Sequence, residues 1–153
     1  MLKIEKLPLG PIGTNCFIVT DEGCGDCVVI DPAWDAPEIL GRISSRGSHL
    51  RAIWLTHAHF DHFGAVAGIL QKHPGLPVGL HRLDFPLYQA GGGGPAWGIP
   101  VNCSHEPTMW WDGIDRLQLG RFQFQVLFVP GHSPGHVAFF EPESGSLFGG
   151  DVL

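Results

Sequence analysis

Between Thr56 and His62 the chain reads Thr-His-Ala-His-Phe-Asp-His, and four of these side chains, His57, His59, Asp61 and His62, can donate a lone pair to a transition metal. Two more segments carry similar donors, Gly131-His132-Ser133-Pro134-Gly135-His136 and Gly149-Gly150-Asp151. Neutral imidazole nitrogen combined with anionic carboxylate oxygen suits borderline divalent ions such as zinc, iron or manganese. His57 and His59 stand two residues apart, so extended backbone would carry both rings to one side. Asp61 and His62 lie past that stretch and can address a second position. So short a segment does not readily wrap four ligands around one ion, which favours two ions side by side. His132 follows Pro-Gly and Asp151 follows Gly-Gly, where glycine allows the backbone close to a site. The pattern therefore predicts a two-metal hydrolytic centre in which a metal-activated water is the nucleophile. No Ser-His-Asp arrangement competes with it, because Ser133 does not sit in a G-x-S-x-G turn. His49, His73, His81 and His105 are isolated and read as surface or core residues.

Ligands so far apart in sequence need strand ends that meet at one rim, which is where layered α/β proteins place their chemistry. Leu2 to Leu7 reads as an edge strand ended by Pro8. Asn15 to Thr20 and Cys27 to Asp31 read as a hairpin around the turn at Asp21 to Gly25. Past Pro32 a helix is expected, capped by Asp35, with Pro37 in its first turn and Gly47 at its end. Arg51 to Leu55 is a buried strand that delivers the histidine cluster from its C-terminal end. A helix starting near Asp61 would bury Val66, Ile69 and Leu70 and stop at His73-Pro74-Gly75. Pro77 to Leu80 reads as a strand and Leu83 to Tyr88 as a brief helix. The glycine-rich stretch from Gly91 to Pro100 reads as a loop, beside a substrate or as an exposed insertion. Leu117 and Leu119, Phe122 to Val129, Val137 to Phe140 and Ser146 to Phe148 are β-rich. Strands with interspersed helices fit a mixed layered fold, α/β or α+β.

A length of 153 residues fits one domain, 1–153. Nine Lys and Arg against fifteen Asp and Glu give a formal charge of −6. With no basic stripe, nucleic acid is not an expected partner. No window approaches the roughly 20 apolar residues that a membrane span requires. The first ten residues contain Glu5 and Pro8 and lack the apolar run of a secretion signal, so the expected location is cytoplasmic. Cys16, Cys24, Cys27 and Cys103 form no evident disulfide framework. Cys24-Gly25-Asp26-Cys27 falls in the hairpin turn with no second such pair, and is read as turn rather than as a redox or metal site.

The H-x-H-x-D-H segment, together with Gly10-Pro11-Ile12-Gly13-Thr14-Asn15-Cys16, Val29-Ile30-Asp31-Pro32, Pro130 to His136 and Leu147-Phe148-Gly149-Gly150-Asp151, resembles the metallo-β-lactamase fold superfamily. Within it the chain is most similar to short glyoxalase II-like (hydroxyacylglutathione hydrolase-like) hydrolases, over essentially its whole length. The resemblance implies an αββα sandwich. It also implies that His57, His59 and His132 hold one ion, that Asp61 and His62 hold the second, and that Asp151 bridges them. His136 would be structural, and Asp31 would orient a ligand. Two divalent ions are implied, zinc first, with iron or manganese as alternatives.

The family closes its second metal shell with a histidine well beyond the bridging aspartate. The resemblance therefore implies a domain incomplete at its C-terminus, of which this chain is the N-terminal and central part. The implied activity is cleavage of a small-molecule thioester of the acyl-glutathione type by a metal-bound hydroxide, oriented by Asp61 or Asp151. Three alternatives share the resemblance. One is a mononuclear-iron persulfide dioxygenase using His57, His132 and Asp151, another is a lactonase or β-lactamase, and the third is an inactive truncated metal-binding fragment.

Overall fold

In the computed structural model, residues 1–152 are described. Strands β1 (Leu2–Leu9), β2 (Thr14–Asp21), β3 (Asp26–Ile30), β4 (His49–Trp54), β5 (Val78–Leu80) and β6 (Met109–Trp110) form one sheet in that order. The first three pair antiparallel, and β3 to β6 run parallel. Strands β7 (Arg116–Leu119), β8 (Phe122–Phe128), β9 (Val137–Glu141) and β10 (Ser146–Phe148) form a second sheet, antiparallel throughout, in the order β10-β9-β8-β7.

The apolar residues of β3 and β4 are nearly continuous because both faces of the first sheet are covered. On one face Cys27, Val29 and Ile53 pack with Ile39 and Ile43 of α1 (Ala36–Ser45) and with Val66, Ile69 and Leu70 of α3 (Val66–Lys72). On the other, Val28, Ile30, Ala52 and Trp54 meet Phe122, Phe124, Val137, Phe139 and Phe148 of the second sheet. Trp54 is central to this inter-sheet core, with its ring 5.1 Å from Phe124 and 5.5 Å from Phe139. The layers run helix, sheet, sheet, a mixed α/β sandwich. On the outer face of the second sheet Leu127 and Leu147 are exposed.

Local departures from the expected elements have identifiable causes. Strand β1 continues through Pro8 to Leu9. It is an edge strand paired only with β2, where proline's missing N–H need not interrupt a ladder. The helix expected from Asp61 is split into α2 (Phe60–Phe63) and α3. Between them a Cβ on Gly64 would lie 2.4 Å from the Ala33 carbonyl oxygen, and Ala65 N–H donates to Pro32 O at 3.0 Å, so this segment is pinned to the loop after β3. The expected helix around Leu83 becomes a 3-10 turn at Arg82–Asp84 followed by α4 (Phe85–Gln89). The two-residue strand β6 carries too few residues to show any periodicity and was not anticipated.

Gly79 of β5 lies beneath the Trp111 indole, whose Nε1–H donates to Leu55 O at 2.9 Å. A Cβ at that position would come within 2.0 Å of the ring. Gly79→Ala is expected to lower unfolding free energy by about 1–3 kcal/mol through overpacking, measured by urea denaturation.

Candidate metal centre

Each donor reaches the rim from a strand end. Asp31 follows β3, and the His57–His62 segment follows β4, its parallel neighbour. The loop 129–136 joins β8 to β9, and Gly149-Gly150-Asp151 follows β10. Val137 N–H donates to Thr56 O at 2.9 Å and ties the rims of the two sheets together. Gly150 has φ +57°, and a side chain there would strike the Thr56 hydroxyl at 2.5 Å and His136 at 2.8 Å, so only glycine can turn the chain into Asp151 at this point.

All six predicted ligands come together. One ligand atom each from His57, His59, His132 and Asp151 lies within 4.8 Å of the others, as do those of Asp61, His62 and Asp151. Asp151 belongs to both groups. Its Oδ2 is 3.1 Å from His132 Nε2 and 3.8 Å from His57 Nε2, while its Oδ1 is 3.2 Å from His62 Nε2. Asp61 Oδ2 is 3.3 Å from the same His62 nitrogen. His59 Nδ1 and His132 Nε2 stand 2.8 Å apart.

The surrounding hydrogen bonds prepare these atoms for a cation. The Thr56 hydroxyl donates to Asp31 Oδ2 at 2.6 Å and can then only accept from His57 Nδ1, 2.9 Å away. His62 Nδ1 likewise faces Asp31 Oδ2 at 2.9 Å. Both rings thus hold a proton on Nδ1 and aim Nε2 into the cluster, where neither Nε2 has a hydrogen-bond partner although both are buried. Two buried, unpartnered imidazole nitrogens beside carboxylate oxygens fit a divalent ion.

Burial pushes His57 far down and His59 below its usual value, and the neighbouring rings add to both effects, so these side chains are neutral at pH 7. Burial also opposes charge on His62, but Asp31, hydrogen-bonded to its Nδ1, and the nearby carboxylates of Asp151 and Asp61 outweigh it and hold His62 up to about 12. Asp61 is destabilised as an anion by burial, yet the adjacent His62 ring and the hydrogen bond from Thr14 bring it to about 2. Asp151 is lowered chiefly by its close contact with the His62 ring.

His136 is not among the clustered ligand atoms; its Nε2 accepts from Asp151 N–H at 3.2 Å and its ring stacks on His57 at 4.5 Å. His49, His73, His81 and His105 lie outside the cluster. Cys24 is exposed, Cys27 is buried, and all four cysteines are unpaired. Thr14 was not anticipated as an orienting group. Its hydroxyl donates to Asp61 Oδ2 at 2.7 Å. A cavity of about 720 Å³ lies between α1 and α3, away from these groups. A smaller one of about 400 Å³ opens directly on His59, His132 and Asp151 and is walled by Ile12, Leu87 and Trp97.

The family model described as the metallo-beta-lactamase superfamily matches residues 9–153. The chain belongs to that superfamily. It is 33% identical to the hydroxyacylglutathione hydrolase GloC of Haemophilus influenzae, over 99% of this chain and 72% of that protein. Among solved structures it is similar to the BLEG-1 B3 metallo-beta-lactamase, with a TM-score of 0.90 and 33% identity over 99% of this chain and 73% of that one. It also matches TTHA1623 in a di-iron-bound form, with a TM-score of 0.84 and 40% identity over 97% of this chain and 72% of that one. The chain is thus a metal-dependent hydrolase of the glyoxalase-II-like group. Its histidine and aspartate clusters offer one or two divalent-metal sites. No helix among the described residues is long and apolar enough to cross a membrane.

Asp31→Ala would leave Thr56 N–H, 2.8 Å from Asp31 Oδ1, and His62 Nδ1–H without their buried acceptor. Loss of one partner of such a pair is expected to destabilise the chain by about 3–5 kcal/mol, measured by chemical denaturation.

Proposed function

We propose that the chain hydrolyses thioesters of the acyl-glutathione type at a two-metal centre. His57, His59 and His132 would hold one ion, Asp61 and His62 the other, and Asp151 would bridge the two. The observation that carries this reading is the splay of the Asp151 carboxylate, one oxygen toward His57 and His132 and the other toward His62. Zinc is the first choice of metal, on the nitrogen and oxygen donor set. The likeness to GloC supports the thioester, and the likeness to a di-iron-bound relative supports two ions.

A divalent ion in such a site supplies Lewis acidity, polarising a carbonyl and bringing the pKa of water toward about 7. The chain's own residues supply the rest. Asp61, held anionic at about 2 and fixed by Thr14, and Asp151, also held anionic, present acceptor oxygens that orient a water. The buried rings of His57 and His62 keep bulk solvent from the inner side of the cluster, while His132 and Asp151 remain open to the cleft. The cleft offers Ile12, Phe60, Leu87, Trp97 and Ile99 to the organic part of the substrate, and Trp97 is mostly exposed within reach of a ligand. Hydrolysis of a β-lactam amide is the second reading, favoured by the likeness to BLEG-1.

Elemental analysis of the purified chain is expected to give two ions per chain, and His57→Ala is expected to lower that content. Full metal content in the variant would remove His57 from the ligand set. One iron per chain, with oxygen consumed on a persulfide, would replace the hydrolase with a dioxygenase. Assayed on an acyl-glutathione and a β-lactam in parallel, the chain should turn over the thioester faster. Trp97→Ala should raise KM for the preferred substrate about tenfold with kcat little changed, as for lost apolar contact in a pocket.

A further inference from the structure

We propose that Asp84 is a positioning residue of the metal centre, its carboxylate locking the His57–His59 segment to the His132–His136 loop. This rests on the reading that His57, His59 and His132 hold an ion. Asp84 lies in the turn after β5, is fully buried, and forms no ion pair among the described residues. Its Oδ2 accepts from Ala58 N–H at 2.9 Å and from the Ser133 hydroxyl at 2.8 Å. Its Oδ1 accepts from Gly135 N–H at 2.6 Å. Ala58 stands between two proposed ligands, Ser133 follows the third, and Gly135 precedes the ring that stacks on His57.

The chemistry requires a carboxylate. All three partners donate, and an ionised carboxylate is the side chain of this size that only accepts. An asparagine would have to turn its NH₂ toward at least one donor. Burying an unpaired anion costs several kcal/mol, which hydrogen bonds to the charged group offset only when the geometry is closely kept. The backbone is fitted to the contact, since a Cβ on Gly135 would lie 2.8 Å from Asp84 N and 3.0 Å from its Oδ1. The two histidine-bearing segments belong to different sheets, and His59 Nδ1 stands 2.8 Å from His132 Nε2. Asp84 bonds both segments at once, and so sets that separation.

Asp21 provides the comparison. The residue is also buried, though less deeply, accepting from Gly23 N–H at 2.8 Å and Arg121 N–H at 2.9 Å, and it also links the two sheets. It does so at the opposite end of β3 from the metal centre.

The test is the zinc dissociation constant of the full chain, by competition with a chromophoric chelator, for wild type, Asp84→Asn, Ser133→Ala and Asp21→Asn. Urea unfolding of each metal-free form is measured alongside. Asp84→Asn is expected to weaken zinc binding about 10–100-fold, the range for losing a group that orients metal ligands. Ser133→Ala removes one donor and no charge, so it gives a reading even if Asp84→Asn does not fold, and is expected to weaken binding up to about tenfold. Asp21→Asn should lower stability and leave zinc affinity at the wild-type value. Wild-type affinity in Asp84→Asn or Ser133→Ala overturns the role given to Asp84 alone, as does an equal loss in Asp21→Asn, which would mark a stability effect. A wild-type chain that takes up no zinc overturns the ligand assignment together with it.

Discussion

The carboxylate of Asp31 is the point on which the centre turns. It sits where β3 ends, beside the end of its parallel neighbour β4, and its two oxygens receive Thr56 N–H, the Thr56 hydroxyl and His62 Nδ1. Through the Thr56 hydroxyl it also reaches His57 Nδ1. One buried anion thereby decides which nitrogen of two histidines turns toward it, and so which nitrogen points into the cluster. Asp31 adopts a left-handed backbone at φ 50°, an uncommon conformation for a side-chain-bearing residue, and the bonds it makes there hold it in place.

That junction exists because the parallel pair β3–β4 is buried on both faces. Val28, Ile30, Ala52 and Trp54 face the second sheet while Val29 and Ile53 face the helices, so the strand ends have little freedom to shift. The second sheet enters through the Val137–Thr56 backbone bond and through Gly150, the only residue type that fits against Thr56 and His136. Packing between the sheets places His132 and Asp151 opposite the histidine cluster. The loops then need only short reach to converge, and the face they leave open becomes the cleft beside Trp97.

Much of this was legible in the sequence, for reasons that differ by residue. The six clustered donors were readable as a group because imidazole and carboxylate side chains rarely crowd into such short segments by chance. The long strands β2, β3, β4 and β8 were readable from β-branched and aromatic runs, and helix α1 from its aspartate cap, where Asp35 accepts from Glu38 N–H. The break between α2 and α3 was not readable, since it follows from Ala33 and Trp34 crowding Gly64, contacts between segments distant in sequence. Thr14, Thr56 and Asp84 were missed as orienting groups for a related reason. A threonine at a strand end and an aspartate in a turn are ordinary residues there, and only the folded chain shows that Asp84 bridges segments 26 and 51 positions away.

The charges explain why such an arrangement asks for cations. Asp31, Asp61 and Asp151 gather around rings of which His57 and His59 are kept neutral by burial. In a partly buried cleft three neighbouring carboxylates repel one another strongly, because the surroundings screen less than water. His62 offsets that repulsion by holding a proton up to about 12, its imidazolium lying between Asp31, Asp61 and Asp151. A divalent ion held at the same nitrogen would replace that proton with a larger charge, with Asp61 and Asp151 as the neighbouring donors. Carboxylates crowded in this way suit the cluster to a divalent cation, and binding energy realised there would also stabilise the rim of the fold.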